Sequence, residues 1–437
     1  MALNRRSEVH PVASSTKTLA LPLLGLLAAM TMGCSGNDEE AKPDGVVRLE
    51  LLTFWPEENV GGGIQAVMDV HHQKHPNVEL EMVKVATGDD LPGELAARRE
   101  RNDLPALFHM NVGSDIQRQP GVLPVSAAAE AAGWADAFPA GVTDSVTGEG
   151  NLLGVPLALT RQNNVFYSKR VLDEEGLEVP TSVDEFKVWL DALVAAGYEH
   201  PLCIGDVYGW TLTNMMLDEL IPSMWGADYH AALWRGEKSA NDDQLRESVE
   251  FMLGLAPYLN PDFAEIDWDK GVARITEEDR PKDERCVMTA MGDWAGPYLM
   301  KTYGYQPDVD FIQAGFPGAQ SLFVLSGDAI CLPEGGPDRE TALELLATFA
   351  SVEGQLAFNS AQGSVPARGD VPVSELGALA QRNMEALRVS AVGGNGVIAR
   401  PSPIFGELSA AIKQMMVDRD PAPVWAAFES HYTTLAE

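Results

Sequence analysis

The alternation of apolar and polar positions near the start of the chain predicts a strand, a helix and a second strand. Val47 to Trp55 alternates and then becomes apolar on both faces, as expected of a strand that enters a covered sheet. The segment from Pro56 to Gly63 is rich in glycine and predicts a loop, whereas Ile64 to His75 has one apolar helical face. Val78 to Val85 is the next strand. This order of elements predicts a parallel sheet.

The clearest helix in the sequence runs from Val183 to Ala196. Ser182 and Glu185 form a capping box at its start, its apolar residues share one face, and Gly197 ends it. Residues 342–350 carry a second regular helical stripe. Helices therefore alternate with strands over much of the chain, which is typical of an α/β protein.

Two short apolar runs late in the chain each end in polar residues. Val287 to Met291 leads through a glycine to Asp293 and Trp294, and Leu322 to Leu325 stops at the Ser-Gly-Asp of residues 326–328. A buried strand that ends in an acid and an indole is expected to deliver these side chains into a cleft. We interpret the two strands as places where the chain crosses into a second domain and returns.

The length and charge of the chain limit the number of domains and the classes of ligand to be expected. The 437 residues correspond to about two or three domains, and a hydrophobic content of 45% allows large cores. The 31 basic and 64 acidic residues give a net charge of -33, and the acids are dispersed along the chain. This charge disfavours nucleic acid and anionic membranes as partners and favours neutral or cationic ligands. Acidity also serves solubility alone, and that alternative stays open.

The first 33 residues predict a secretory signal peptide. Basic residues precede an apolar run from Leu19 to Met32 that is short for a bilayer span. The following Gly-Cys resembles a bacterial lipobox, in which Cys34 is lipidated and becomes the mature N-terminus. Residues 34–46 then form a polar tether to the folded chain. Secretion without a lipid is the alternative.

Three more cysteines follow, Cys203, Cys286 and Cys331, and an odd number permits at most one disulfide within them. Their spacing does not tell which pair forms, and it does not match a metal site. His71 and His75 share one helical face and would need a third ligand to hold zinc, so we favour a solvated helix face. The sequence predicts no metal and no cofactor.

Three segments together resemble the family 1 extracellular solute-binding proteins of bacterial ABC sugar importers, most closely the glucose-binding branch. They are MGDWAGPYL at Met291 to Leu299, FPGAQ at Phe316 to Gln320, and QGSVPARGDVP at Gln362 to Pro372. The segment from Asn163 to Phe186 is also similar to the family. The resemblance covers most of the chain from Val47 to Asp370.

The resemblance implies an α/β fold of the periplasmic-binding-protein type, with two lobes that are each a mainly parallel sheet flanked by helices. We expect residues 47–158 and 289–327 in the N-terminal lobe and residues 159–288 and 328–437 in the C-terminal lobe, with hinge crossings between them. The family binds a sugar between the lobes and delivers it to ABC permease subunits in the periplasm. The expected protein is a monomer that touches a membrane only through its N-terminal lipid.

A sugar site needs carboxylates and amides for hydroxyl groups and flat aromatic rings for the apolar C–H faces. We expect residues at strand ends and in loops to form it, namely Trp55, Glu58, His109, Asp115, Trp210, Trp268, Asp293, Trp294, Asp328 and Gln362. Core packing of the tryptophans, and capping of turns by Asp293 and Asp328, are the alternatives. Gln362 stands where the glucose branch has a lysine, so the identity of the sugar stays open.

Other functions remain to be weighed against sugar binding. Asp293 with Asp328 or Glu58 would suit a glycosidase, but no nucleophile elbow, metal motif or phosphate loop accompanies them. The same fold would also serve a polyamine or a peptide, or a surface lipoprotein that interacts with other proteins. We predict a non-enzymatic, high-affinity carbohydrate-binding protein.

Overall fold

The computed structural model describes residues 45–55, 57–86, 88–277, 279–389, 391–393 and 402–435, which belong to one compact unit beginning at Gly45. The predicted signal peptide and Cys34 lie outside the described residues. In the ranges given above, no helix is both long enough and apolar enough to cross a bilayer.

Strands and helices alternate through most of this unit. The strands are β1 (Val47–Thr53), β2 (Val78–Lys84), β3 (Leu107–Asn111), β4 (Thr147–Gly148), β5 (Asn151–Leu152), β6 (Gly154–Arg161), β7 (Asn164–Ser168), β8 (Met288–Ala290), β9 (Phe311–Gly315), β10 (Leu322–Cys331), β11 (Val365–Pro366) and β12 (Ala391–Gly393). The α-helices are α1 (Glu57–His72), α2 (Leu91–Arg101), α3 (Ser114–Arg118), α4 (Ser126–Ala131), α5 (Ala140–Ser145), α6 (Lys169–Glu175), α7 (Val183–Ala196), α8 (Trp210–Asn214), α9 (Ile221–Trp234), α10 (Asp243–Gly254), α11 (Trp268–Ala273), α12 (Ala295–Tyr303), α13 (Arg339–Ala350), α14 (Val352–Gln362), α15 (Ala378–Val389), α16 (Ser402–Asp418) and α17 (Ala422–Leu435). A π-helix, Met215–Leu220, joins α8 to α9, and 3₁₀ turns include Gly88–Asp90.

The larger sheet has the strand order β11-β6-β10-β3-β1-β2, with β12 beside β10. β1 runs parallel to β2 and β3, as predicted, whereas β10 runs antiparallel to both β3 and β6. The register places Thr53 opposite Lys84 and Asp328 opposite Asn111. We call this sheet and the helices packed on it the first lobe.

The smaller sheet has the order β8-β7-β9 and belongs to the second lobe. β7 is antiparallel to both neighbours, and the parallel bridges beside this sheet join Leu202 to Leu259 and Met288, and Pro307 to Phe311. A mainly parallel sheet in each lobe was therefore the wrong expectation for this lobe. The reason is that β7 starts at the hinge, while β8 and β9 both end there. The two-lobed α/β fold itself is confirmed.

Two large hydrophobic cores divide the chain, and the division differs from the expected lobe boundaries. The first core includes Phe349 of α13 and Phe358 of α14, so most of residues 328–376 accompany β10 in the first lobe. The second core contains Met288 and Phe316 together with Met415 of α16. Residues 289–316 therefore stay in the second lobe, because α12 packs with β7 instead of crossing.

Two elements, α1 and β10, are longer than the sequence predicted, and close packing at a glycine explains both differences. α1 begins at Glu57, and its glycines are helical because Gly63 lies against α14, where an added Cβ would stand 2.6 Å from Nε2 of Gln362. β10 continues through Asp328 instead of stopping at Ser326. It does so because Gly327 lets the strand approach the carbonyl of Ala158, which an added Cβ would meet at 2.8 Å.

The predicted helix from Val183 to Ala196 is confirmed residue for residue. Ser182 accepts the backbone N–H of Glu185, as the capping box requires. The carboxylate of Glu185, however, accepts from the backbone and hydroxyl of Thr181. The helix start is thus held from two preceding residues.

Candidate functional site

A chain of hydrogen bonds lies at the carboxyl end of β1 in the first lobe. The hydroxyl oxygen of Thr53 accepts the backbone N–H of Trp55 at 3.0 Å and lies 3.0 Å from Nδ1 of His109. Nε2 of His109 lies 2.8 Å from Oδ1 of Asp328. Because an ionised carboxylate only accepts, His109 donates from Nε2 and Thr53 donates its hydroxyl proton to Nδ1. The chain therefore fixes the orientation of the Asp328 carboxylate.

Two aromatic rings cover His109. The centroid of its ring lies 3.7 Å from that of Trp55 and 4.1 Å from that of Phe54. The His109 side chain is 0% exposed, whereas 18% of the Asp328 side chain is exposed. Burial lowers the pKa of His109, although the hydrogen bond to Asp328 acts the other way. His109, expected as a sugar contact, is fully buried, and its Nε2 contacts Asp328 instead of an open surface.

The hinge is a run of five polar residues, Thr160 to Asn164, all of which are buried. The guanidinium of Arg161 donates to the carbonyl oxygens of Ala319 and Leu322, at 3.2 and 2.6 Å, where the chain returns to the first lobe. Burial lowers the pKa of Arg161 to about 10, and the charge of Asp293 opposes this shift. Arg161 therefore stays charged at neutral pH and holds the two crossing segments together.

Asp293 lies directly against this hinge. Its Oδ2 accepts the backbone N–H of Arg161 at 3.0 Å, and its own N–H donates to the Arg161 carbonyl. Its Oδ1 is buried and has no hydrogen-bond partner. Burial raises the pKa of Asp293 to about 7, and the charge of Asp328 adds to the increase. A buried oxygen without a hydrogen-bond partner destabilises the fold, so a ligand hydroxyl that donates to this oxygen would gain binding free energy.

Aromatic side chains form a wall in the second lobe. The ring centroids of Trp210 and Trp294 lie 6.5 Å apart, and those of Trp268 and Tyr298 lie 5.3 Å apart. The three indoles are half-buried and pack against one hydrophobic cluster. Their remaining exposed surface can stack on the apolar face of a ring.

Other expected site residues take different positions. Asp115 lies in the first turn of α3 and receives a long hydrogen bond of 3.4 Å from Asn111, the register partner of Asp328. Gln362 ends α14 and lies against α1. Glu58 is in the first turn of α1, but its side chain lies outside the described part of the structure. Asp115 is thus linked through Asn111 to the part of the first lobe that carries Asp328. Gln362 lies beside α1, the helix that follows Trp55.

A disulfide supports the second-lobe wall. Cys203 and Cys286 are bonded, with their Cα atoms 5.7 Å apart, and Cys331 is a free, buried thiol in β10. Cys203 precedes the loop that leads to Trp210, and Cys286 precedes β8, which leads to Asp293. The bond therefore ties together two segments that supply candidate binding residues.

The histidines of α1 have roles within the first lobe, and the expected solvated helix face is wrong for His71, which is buried. His71 and His75 stack with ring centroids 4.5 Å apart, Nδ1 of His71 lies 2.8 Å from the hydroxyl of Thr348, and His75 pairs with Glu344. Burial and the neighbouring histidines lower the pKa of His71 to about 4. Among the described residues, no three His, Cys, Asp or Glu side chains are grouped to hold a metal.

Two residues outside the expected set belong to this region. Arg161 follows the lobe boundary that the sequence predicted between residues 158 and 159, but Arg161 itself was not among the expected site residues. Tyr298 follows Trp294 by four residues, a spacing that places both on one face of α12. Asp293 thus lies at the hinge within reach of the charge of Asp328, while Trp55 packs on the first core and the other three indoles pack on one cluster in the second lobe.

Comparison with known proteins agrees with this architecture. Residues 67–382 match the profile described as bacterial extracellular solute-binding protein. An uncharacterised ABC transporter extracellular-binding protein of Pyrococcus horikoshii is 26% identical over 370 residues, 81% of this chain and 81% of the relative. The xylose/arabinose-binding protein of Haloferax volcanii is 24% identical over 339 residues, 75% of this chain and 71% of the relative.

A solved bacterial solute receptor, reported to prefer β-D-galactopyranose exclusively, superposes with a TM-score of 0.76 at 17% identity. The superposition covers 89% of this chain and 99% of that receptor, which establishes the shared fold. The profile match spans well over half of the sequence. The chain therefore belongs to the bacterial extracellular solute-binding protein family.

Proposed function

We propose that this protein binds a neutral carbohydrate between its two lobes and delivers it to the permease of an ABC importer. The observation that carries the proposal is the buried Oδ1 of Asp293 at the hinge, which has no hydrogen-bond partner, while the charge of Asp328 is near enough to raise the pKa of Asp293. Carboxylates accept hydroxyl protons, and the half-buried indole of Trp294 offers a face to a pyranose. The indole of Trp55 packs on the rings of His109 and Phe358, and only the surface that they leave exposed can contact the sugar. The sugars named for the Haloferax relative and the solved receptor support this ligand class.

The family membership makes this a binding protein and not an enzyme. Asp293 and Asp328 are thus hydroxyl acceptors in this proposal, although a glycosidase would need a similar pair. A polyamine is the second candidate, because the net charge of -33 and the indole faces also suit a cation. A peptide ligand, or a role as an interaction lipoprotein, is the remaining alternative.

A thermal-shift screen of residues 35–437 tests the proposal against these alternatives. The panel contains glucose, galactose, xylose, arabinose, maltose, spermidine and a tripeptide. A ligand that binds only the folded state at a hundredfold excess over its Kd stabilises the protein by about 2.7 kcal/mol. We expect a raised Tm with at least one sugar. An increase in Tm with spermidine or the peptide alone would make that compound class the ligand instead of a sugar. No change in Tm with any compound would favour the interaction lipoprotein.

Removing one indole from either wall should weaken sugar binding. We expect Trp55→Ala and Trp294→Ala each to reduce the affinity by at least about 1 kcal/mol, roughly a fivefold increase in Kd, because a stacked ring is lost. Calorimetric titration with the sugar found in the screen measures the change. Trp425→Ala is the matched control, since Trp425 of α17 is also half-buried but contacts Arg246 of α10. Unchanged Kd values in both cleft variants would remove these rings from the site.

We also propose that Cys34 carries the lipid that holds the protein at the periplasmic face of a bacterial membrane, as a monomer. Mass spectrometry of the membrane fraction should find a diacylglyceryl group on an N-terminal Cys34. Cys34→Ser should release the protein into the soluble fraction while leaving sugar binding unchanged, because the tether lies before β1. A cleaved, unmodified N-terminus in a soluble wild-type protein would contradict the anchor.

A further inference from the structure

Asp293 has fewer hydrogen-bond donors around it than a buried, ionised carboxylate needs. The residue is 1% exposed, and its Oδ2 accepts one N–H, from the backbone of Arg161 at 3.0 Å. Its Oδ1 has no hydrogen-bond partner within the part of the chain that the structure describes. Because burial with so few donors disfavours the charged form, this carboxyl group holds a proton more tightly than an exposed aspartate does. Oδ1 is the oxygen that is open to carry the proton.

The positive charge of Arg161 does not remove this preference. Its Nε donates to Oδ1 of Asn163 at 3.2 Å, and its Nη2 donates to the carbonyl oxygens of Ala319 and Leu322 at 3.2 and 2.6 Å. The bond to the Asp293 carboxyl comes from the backbone N–H instead. The guanidinium is thus committed to other acceptors, and its charge only partly opposes the increase in pKa that burial causes in Asp293.

Asp328, the second acid near the hinge, is supported differently. Its Oδ1 accepts from Nε2 of His109 at 2.8 Å, and 18% of its side chain is exposed. The charge of Asp328 raises the pKa of Asp293 further. Burial lowers the pKa of His109, so the imidazole stays neutral in the pH range in which Asp293 titrates. Asp328 therefore holds the negative charge of this pair of acids, and Asp293 holds the proton.

A sugar hydroxyl that reaches Oδ1 changes this balance. The hydroxyl can donate to an ionised oxygen, and a hydrogen bond to a charged group is about twice as strong as one between neutral groups. A ligand shifts an equilibrium between two forms of a protein by its difference in affinity for them. For one such bond we expect the sugar to prefer the ionised form of Asp293 by roughly tenfold.

We propose that sugar binding is coupled to the release of a proton from Asp293, so that the protein holds its sugar more tightly above neutral pH than in acid. The O–H bond of the carboxyl group breaks, the proton passes to the solvent, and Oδ1 accepts the sugar hydroxyl in its place. This inference rests on the proposed function. It makes the hinge acid a pH sensor for sugar binding.

The sign and range of the effect follow from linkage between proton and sugar binding. Burial raises the pKa of Asp293 to about 7 before sugar binds, and the bound hydroxyl lowers this pKa. With a tenfold preference for the ionised form, Kd should increase about eightfold from pH 8 to pH 5, mostly between pH 7.5 and 5.5. At pH 6.5, binding should release about half a proton for each sugar.

Calorimetric titration with glucose, galactose, xylose, arabinose and maltose at pH 5, 6.5 and 8 measures Kd. Titrations at pH 6.5 in phosphate and in imidazole count the released protons, because these buffers differ in their enthalpy of ionisation. The apparent binding enthalpy should therefore differ between the two buffers. This measurement uses the wild-type protein and does not depend on the folding of any variant.

Two variants assign the proton. Asp293→Asn has no proton to lose, so its Kd should be the same from pH 5 to pH 8 and its binding enthalpy the same in both buffers. Asp206→Asn is the matched control, because burial also raises the pKa of Asp206 to about 7, but its Oδ1 accepts from the backbone of Thr211 and Leu212. This control should keep the pH dependence of the wild type.

Three results would overturn the coupling and leave sugar binding intact. They are equal Kd values at pH 5 and pH 8 without proton release, uptake of protons on binding, and a pH dependence that persists in Asp293→Asn. The last result would assign the proton to another group, such as Asp267 beside Trp268, whose pKa burial also raises. If none of the five sugars binds at any pH, the proposed function fails together with the coupling.

Discussion

Replacing Asp293 by Asn is expected to stabilise the fold at pH 8 and to weaken sugar binding at the same time. The wild-type carboxylate is buried, accepts one N–H from Arg161, and leaves Oδ1 without a partner. The Asn side chain keeps an acceptor for Arg161 but carries no charge that must be buried. It also presents an N–H₂ group where a carboxylate oxygen would receive a sugar hydroxyl. Hydrogen bonds to charged groups are worth roughly 1.5–3 kcal/mol, so Kd should increase about 10- to 100-fold.

The pH dependence of stability follows from the same group. Because burial raises the folded-state pKa of Asp293 from 3.8 to about 7, the folded protein binds more protons than the unfolded chain between these pH values. The free energy of unfolding therefore falls as pH increases from about 4 to 7, and Asp293 accounts for about 4 kcal/mol of this loss. The variant should lack that part of the decrease and match the wild type near pH 4.

Asp206 supplies the matched control for this prediction. Burial also raises its pKa to about 7, and its Oδ1 accepts the backbone N–H groups of Thr211 and Leu212 at the start of α8. Asp206→Asn should change the pH profile of stability in the same direction and leave Kd within about twofold. Urea titrations at pH 4, 6 and 8 measure stability, and calorimetry measures binding. An Asp293→Asn protein that binds sugar as tightly as the wild type would exclude Asp293 from the site.

Removal of the Cys203–Cys286 disulfide is expected to lower the free energy of unfolding by about 4 kcal/mol. The two cysteines are 83 residues apart, and a cross-link that closes a loop of this length restricts the unfolded chain by about that amount. The Cys203→Ser/Cys286→Ser protein should unfold at a correspondingly lower guanidinium concentration. Sugar affinity should also fall, because the bond ties the segment before Trp210 to the strand before Asp293.

Reductant separates the disulfide from the side-chain changes themselves. Wild-type protein in dithiothreitol should match the double serine variant, and the variant should not respond to dithiothreitol. Cys331→Ala should keep the wild-type response, because Cys331 is a free thiol in β10. Identical unfolding curves for wild-type protein with and without dithiothreitol would contradict a stabilising role for this bond.

Local sequence signals were sufficient to predict helix and strand ends that are determined by neighbouring residues. Ser182 and Gly197 set the ends of α7 to the residue, and the alternation after Val47 predicted β1 with its end two residues too late. These features depend on capping and on burial of one face, which neighbouring residues determine. The same holds for the indole and acid after β8, which the structure brings to the hinge.

Tertiary contacts decided the features that the sequence did not reveal. Gly63 and Gly327 suggested a loop and a strand end, but each instead permits close packing by a distant segment. β10 pairs with β3 and β6 of the first lobe. Because α13 and α14 follow β10 in the chain, this pairing places them in the first lobe as well. Arg161 and the covering of His109 depend on residues more than 50 positions away. The spacing of residues in a sequence does not predict contacts between such distant positions.

A crystal structure with the sugar that gives the largest thermal shift tests the central claim most directly. We predict electron density for a sugar ring between Trp55 of the first lobe and Trp294 of the second. Its hydroxyl oxygens should lie about 3 Å from Oδ1 of Asp293 and from the carboxylate of Asp328. Density for the sugar elsewhere on the protein, with both carboxylates uncontacted, would contradict the account.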